Sequence, residues 1–493
     1  MTPPNSGSNS GSGSGFGFGF GPADNGDEGE DKNQNQNDSN SGFDLNEMMR
    51  QMQSEFQKIL PGTPLGFLNP ATLFSQFGNS GNQSALPKDV IREVAKRFIQ
   101  AQGSQPVGAN DQARCEEALS IANVWLEQAT VFPQVASDHP AISPIDWLNN
   151  TVDGWHSTFE PLAAGLAGAI TRLIEEASTA MQNELQQDPN SAEGQAMASQ
   201  MAQMGPMAHI LRTFIGSMLA TQMGQTIGAL ASASKGAHDA ALPIGSIKPS
   251  LLPQTLRKFG AEIEIPETEI AIYFALRELA TVRLFESNPW LVSYLKAAIA
   301  EYGKGIHIDL DAIQRQAEEA MRGMDGSMDG FGNGDAQSAE GFTIALNNGL
   351  FTPEETPQQA AALEKLETAL ALIDGWIEEV ITLAAGNRLP SLPQLSELLR
   401  RERVSNSPIQ QLFKALFNLE VSPRQIREAT NFWSEIRMAN SSDSSSNEDG
   451  GTGNSSIAAR DKIWSGLLPT AKELTDPIGF LSSTSIPDDL SGL

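Results

Sequence analysis

The side chains best suited to chemistry are five histidines, one cysteine and a run that reads as a helix, Phe274-Ala275-Leu276-Arg277-Glu278-Leu279-Ala280-Thr281-Val282-Arg283-Leu284-Phe285. On a helix, Arg277 and Thr281 stand one turn apart and share a face with Phe274 and Phe285, with Glu278 beside them. The histidines are His139, His156, His209, His238 and His307. No two have the three- to five-residue spacing that puts a pair of imidazoles on one helical face, so a compact His-rich zinc site is excluded. A site gathered from distant histidines stays geometrically open, but scattered histidines usually serve at the surface or as satisfied core groups. His307 alternates with Ile306 and Ile308 and is expected to face solvent. Cys115 is the single cysteine. It can form neither an internal disulfide nor a thiolate zinc cluster, and its setting, Arg114-Cys115-Glu116-Glu117, predicts an inert thiol held protonated by acidic neighbours.

Other chemical motifs fail on their own terms. Asp325-Gly326-Ser327-Met328-Asp329-Gly330 places oxygen ligands at the first, third and fifth positions and Gly at the sixth, as a calcium loop does. Its twelfth position is Ala336, where a bidentate Glu is required, so a flexible acidic loop is expected. No nucleophile elbow, phosphate-cradling Gly-rich loop or Cys-x-x-Cys pair stands in a usable context.

These residues need elements to position them, and the periodicity is mostly helical. Apolar residues recur at helical spacing over 86–103, 111–130 and 146–180, the last carrying Trp147, Trp155, Phe159 and Leu162. Between 207 and 235 a small residue stands at every fourth position, Gly216, Ala220, Gly224 and Gly228, a pattern suited to close backbone approach. Gln222, Gln225 and Lys235 make it a packed soluble helix rather than a membrane span. The clearest helix is 357–385, with Thr356 and Gln359 forming a capping box, Pro357 in the first turn and Gly386-Asn387 at the end. Its seam runs through Leu363, Leu366, Leu370, Ile373, Ile377, Val380 and Ala384. Glu262-Ile263-Glu264-Ile265 and Gly305 to Leu310 alternate and read as short strands or extended linkers. Residues 1–42 are a Gly/Ser/Asn arm expected to be disordered, with a Phe-Gly repeat at 15–20. A Met-rich amphipathic segment follows at 44–59, and flexible loops are expected at 323–341 and 439–456.

Over 493 residues there are 32 basic and 60 acidic side chains, a formal charge of −28. Such a field repels phosphate backbones and anionic membranes, so nucleic acid is excluded as a partner and a protein partner is left open. Neither a leader peptide nor an apolar run of about 18 residues is present, which predicts a cytoplasmic protein without membrane insertion.

The run from Arg277 through Asn288-Pro289-Trp290-Leu291, with Ala300 to Ile306 and Asp309, resembles the zincin-like type 2 metallopeptidases of actinobacteria. It is most similar to the branch labelled hydrolase or zinc-dependent metalloprotease. Pro144 to Trp155, Gln222 to Gln225, Gly349 to Glu354, Leu372 to Trp376 and Asp461 to Pro469 carry the likeness across most of 144–482. The resemblance implies a mainly α, multi-helix body from 86 to 482 with a few short strands. In zincins, two histidines one turn apart grip zinc while a Glu takes a proton from the bound water. That pattern falls here on Arg277-Glu278-Leu279-Ala280-Thr281, which keeps only the Glu. Where relatives resemble Arg-Glu-x-x-His with a further His before Val-Pro-Trp-Leu, this chain has Thr281 and Ser287. Where they show Gly-Trp-x-x-His, it has Gly375-Trp376-Ile377-Glu378-Glu379. Glu278 is thus expected to be a vestigial general-base position, ion-paired with Arg277, Arg283 or a Lys. No metal ligand is assigned, and an oxygen site from Glu278, Asp374 and Glu378 is disfavoured because Glu378 lies off its helix seam. Two readings follow: a non-catalytic family member acting as a binding or scaffold protein without cofactor, or a zinc-dependent hydrolase whose ligands lie outside the motif.

Overall fold

The computed structural model describes residues 84–185, 216–239, 248–306 apart from 262, 356–406, 425–442 and 452–484, with a few isolated positions between. The expected arm at 1–42, the segment 44–59, the loop 323–341, His209 and His307 lie outside the described residues.

The described chain is helical almost throughout. In order the helices are α1 (Lys88–Ala101), α2 (Ala109–Leu126), α3 (Pro144–Leu185), α4 (216–233), α5 (Pro253–Gly260) and α6 (Glu267–Ser287). They continue as α7 (Trp290–Lys304), α8 (Pro357–Ala385), α9 (Leu392–Asn406), α10 (Ile426–Ser442), α11 (Thr452–Lys462) and α12 (Pro477–Thr484). Local chemistry starts two of them well. Ser143 and Asp146 bond reciprocally at the head of α3, the Ser143 hydroxyl donating to Asp146 Oδ2 at 2.6 Å and the Asp146 N–H to Ser143 Oγ at 3.2 Å. At the head of α8 the Gln359 N–H donates to Thr356 Oγ1 at 3.2 Å and the Thr356 N–H to Gln359 Oε1 at 3.0 Å, the expected capping box. Gly386, at φ +50°, ends that helix in a conformation L side chains rarely adopt.

The centre of the body is α6, which packs against α2, α5, α8 and α9. From Tyr273 to Phe285 every side chain is buried, polar ones included, so this stretch of the helix has no solvated face. A second core lies where α8 and α10 cross. Gly375 opens that crossing, since a Cβ there would stand 2.7 Å from backbone atoms of Ala429 and Thr430. Trp433 and Trp464 stack beside it with ring centroids 5.0 Å apart. The small-residue face of α4 is used as expected: a Cβ on Gly224 would meet Ile91 O and Val94 Cβ of α1 at 2.8 Å.

Two expectations become narrower. Of Glu262 to Ile265, read as a strand or extended linker, Glu262 lies outside the described residues and 263–265 bend into the start of α6 as a linker without strand pairing, since two alternations are too short to separate an extended segment from a helix approach. Among the described residues, β-pairing is limited to isolated bridges, Ala141 with Leu251 and Gly236 with Leu251. Of the loop expected over 439–456, residues 439–442 finish α10 and 452–456 begin α11, with Ser456 buried, and 443–451 lie outside the described residues. Ser, Asn and Thr are poor in helix interiors but favoured at helix starts, so a polar composition alone cannot place a boundary there. Of the described residues, no helix is long and apolar enough to cross a membrane.

Candidate functional site

The bridges matter because they hold a turn over the buried motif helix. Leu251 is laced on both sides: Ile142 donates its N–H to Leu251 O at 3.0 Å, and Ala237 donates to Ser250 O at 2.9 Å. Trp147 of α3 adds a third tie, its indole N–H donating to Ala237 O at 3.0 Å. The turn at 236–239 and the strand-like 250–252 therefore sit rigidly above Glu278.

Glu278 reaches into that turn. Its Oε2 accepts the His238 N–H at 2.9 Å, and its Oε1 accepts the Ser250 N–H at 3.1 Å and stands 2.7 Å from His238 Nδ1. The side chain is 1% exposed. Gly236 makes the approach possible, because a Cβ there would lie 2.5 Å from Glu278 Oε2. The expected ion pair with Arg277 or Arg283 is not formed. Arg283 turns the other way and binds Glu127 at 3.0 Å with Asn123 and the carbonyl of Phe132.

Arg277 has its own partners on α8, Asp374 Oδ1 at 3.0 Å and Glu378 Oε2 at 3.3 Å. Although it lies off the seam of its helix, Glu378 is part-buried between Arg277 and Arg400. Arg403 of α9 closes the ring, donating to Asp374 and standing 3.5 Å from Asp239. Lys235 pairs with Glu402. Burial alone would make the Arg277 guanidinium less basic, but Tyr273, Asp374, Glu378 and Asp239 around it raise its pKa above the ordinary arginine value. For Asp239 burial would raise the carboxyl pKa, and Lys235, Arg403, the Lys235 N–H and Arg277 more than reverse this and hold it below the usual range.

Between these groups lies a narrow cleft walled by Phe274, Ile377, Thr281, Arg277, Arg403 and the 236–239 turn. Glu278, Arg277 and Thr281 all line this cleft, beside His238, Asp239 and Arg403, which sequence spacing did not single out. Asp239 and Arg403 carried no local signal. His238 carried one faint signal, its place in a Gly-Ala-His-Asp turn directly after the small-residue helix.

The donor set at the motif helix is a poor match for zinc. A guanidinium has no lone pair for a metal and a Thr hydroxyl is a weak ligand. Thr281 Oγ1 moreover donates to Arg277 O at 2.8 Å. Asp374 and Glu378 face Arg277 while Glu278 faces the turn, so the three carboxylates do not converge. The motif-helix residues therefore do not fit a zinc ion.

Fold and site together define a predominantly helical protein organised on one buried motif helix, with its charges cross-linked to neighbouring helices. A profile of the zincin-like metallopeptidases matches residues 88–481, and the chain belongs to that family. Among solved structures it is similar to a candidate hydrolase with a novel fold from Chloroflexus aurantiacus, at 14% identity over 81% of this chain and 98% of the other, with a TM-score of 0.47. Comparison with curated proteins gives no match.

Proposed function

We propose that this chain is a zincin-like family member that works without zinc at its motif helix, as a binding or scaffold protein rather than a hydrolase. One observation carries the reading: the single zincin residue retained, Glu278, is committed to a turn of its own chain. A general base needs a carboxylate oxygen within reach of a reacting water. Here the carboxylate is buried and fastens three N–H groups, which is the work of a structural cap. Arg277, in the first histidine position, supplies a positive charge held by Asp374 and Glu378. The net charge of −28 favours a protein partner over nucleic acid.

Elemental analysis of purified protein tests this directly. Substoichiometric zinc is expected in the wild type, and tight zinc uptake in the double variant Arg277→His, Thr281→His, which restores two imidazoles one turn apart beside Glu278. Stoichiometric zinc held equally by both proteins would place a native site elsewhere and overturn the reading in favour of a zinc-dependent hydrolase.

A further inference from the structure

We propose that the turn Arg400 to Arg403 of α9 is a latch over the cleft beside the motif helix, one that opens by local unwinding while the rest of α9 stays in place. The two halves of this helix are held by different forces. Leu395 and Leu399 bury its first half, at 0% and 4% exposure, and the Ser391 N–H ahead of it donates to Glu269 Oε2 of α6 at 3.0 Å. The turn 400–403 carries only charged side chains. Arg400 stands 3.6 Å from Glu378 Oε1, Glu402 pairs with Lys235, and Arg403 pairs with Asp374 and stands 3.5 Å from Asp239. Arg400 and Glu402 are 40% and 36% exposed, so dissolved salt weakens their pairs while leaving leucine burial intact.

Breaking a buried ion pair is costly where it leaves one partner buried and alone. Opening this latch strands no charge in the body. Asp374 and Glu378 each keep Arg277, at 3.0 and 3.3 Å. Asp239 keeps the Lys235 N–H at 3.1 Å, and the Lys235 ammonium keeps the face of Phe259, 5.3 Å from the ring centroid. Glu402 and Arg403, freed of the body, pass into water. The turn therefore has two arrangements in which its charges and theirs are satisfied, and a gate needs such a pair of states. Arg403 is the part of the latch that walls the cleft, which with this wall in place has room for about one water molecule. Withdrawing it uncovers Thr281 and the 236–239 turn, which line the same space. Access to the motif helix is thus controlled by a short charged turn of low local stability rather than by the core that surrounds it.

The test uses the full chain with Thr281→Cys, which puts a second thiol into the cleft, while the buried Cys115 reports global unfolding in the same molecule. Iodoacetamide labelling of each site is timed by peptide mass spectrometry as sodium chloride rises from about 0.1 M to about 1 M, which shortens the screening length from about 10 Å to about 3 Å. The new thiol is expected to label faster than Cys115, and about fivefold faster again at the higher salt, with Cys115 unmoved. Adding Arg403→Gln, which removes the charge that walls the cleft, should bring labelling at low salt up to the high-salt rate. Labelling of both thiols at one rate overturns the inference, since the cleft then opens only when the protein unfolds. Labelling of the new thiol that ignores both salt and Arg403→Gln overturns it as well, since no latch then controls access. If Thr281→Cys does not fold, hydrogen exchange in the wild type decides. Amides of 401–403 should then exchange about fivefold faster at the higher salt while those of 372–381 in α8 do not. A common response of the two stretches, or none, overturns the latch.

Discussion

Glu278 accepts N–H groups from both of the bridged segments, 236–239 and 250–252, so its value is structural and can be measured. Glu278→Gln turns an amide NH₂ toward those donors and should destabilise the fold by about 1–3 kcal/mol, read as a lower denaturation midpoint with unchanged zinc content. A hydrolase would instead lose activity with its fold intact. Asp239 gives a pH signature at the same site. Its carboxyl pKa is held below the unfolded value of about 3.9, so its contribution to stability is present above about pH 4 and is lost as the pH falls further. Asp239→Asn is expected to flatten the acid limb of the stability curve, which melting at a series of pH values will show. Cys115 behaves in the opposite sense. Burial first, then Asp111, pushes its thiol up to about 12, so iodoacetamide at pH 8 should label it only when the protein is unfolded. The raised thiol expected from the sequence agrees in direction, with burial the largest cause and Asp111, rather than Glu116 or Glu117, the acidic contributor.

Between elements, the contacts most sensitive to volume are glycine crossings. Gly224 and Gly228 bring α4 against α1, where a Cβ would meet Ile91 O and Val94 in the first case and Phe98 Cβ at 2.8 Å in the second. Gly224→Leu places a whole side chain into that contact and should cost roughly 1–3 kcal/mol or more, since backbone atoms cannot rotate aside. Thermal melting measures it, and a variant melting with wild type would mean that the helices part without loss. The same reasoning applies to Gly375, where α8 meets α10 through backbone atoms rather than flexible side chains.

For the molecule as a whole, Asp461 connects distant stretches of chain. Its Oδ2 accepts from Thr130 Oγ1 at 2.7 Å and the Val131 N–H at 2.9 Å, while Oδ1 accepts from Trp376 Nε1 at 2.9 Å and Arg460 Nη2 at 2.8 Å. Arg460 and Asp461 have fully buried side chains. Asp461→Ala would leave a buried guanidinium without its counter-charge, and loss of about 3–5 kcal/mol is expected. Because Trp376, Trp433 and Trp464 adjoin this network, tryptophan fluorescence during denaturation reports the change directly.

What the sequence determined by itself is what depends on near neighbours along the chain. The helix from Pro357 to Ala385 was legible to the residue because its capping box, its first-turn Pro and its terminal Gly act within a few positions, and its seam repeats at helical spacing. The close-packing face of α4 was legible for the same reason, and so was the departure of Arg277 and Thr281 from a zincin motif. The partners of those residues were not. Glu278 meets His238 across 40 positions, and Arg277 meets Asp374 across 97, distances over which side-chain type says nothing about approach. The sequence offers Arg277, Arg283 or a Lys as ion-pair partners for Glu278, and Arg277 adjoins it. Adjacent residues on a helix point in directions about 100° apart, so one entered α8 and the other the 236–239 turn. Only the tertiary structure decided that, because only packing chooses which buried charge each helix face will meet.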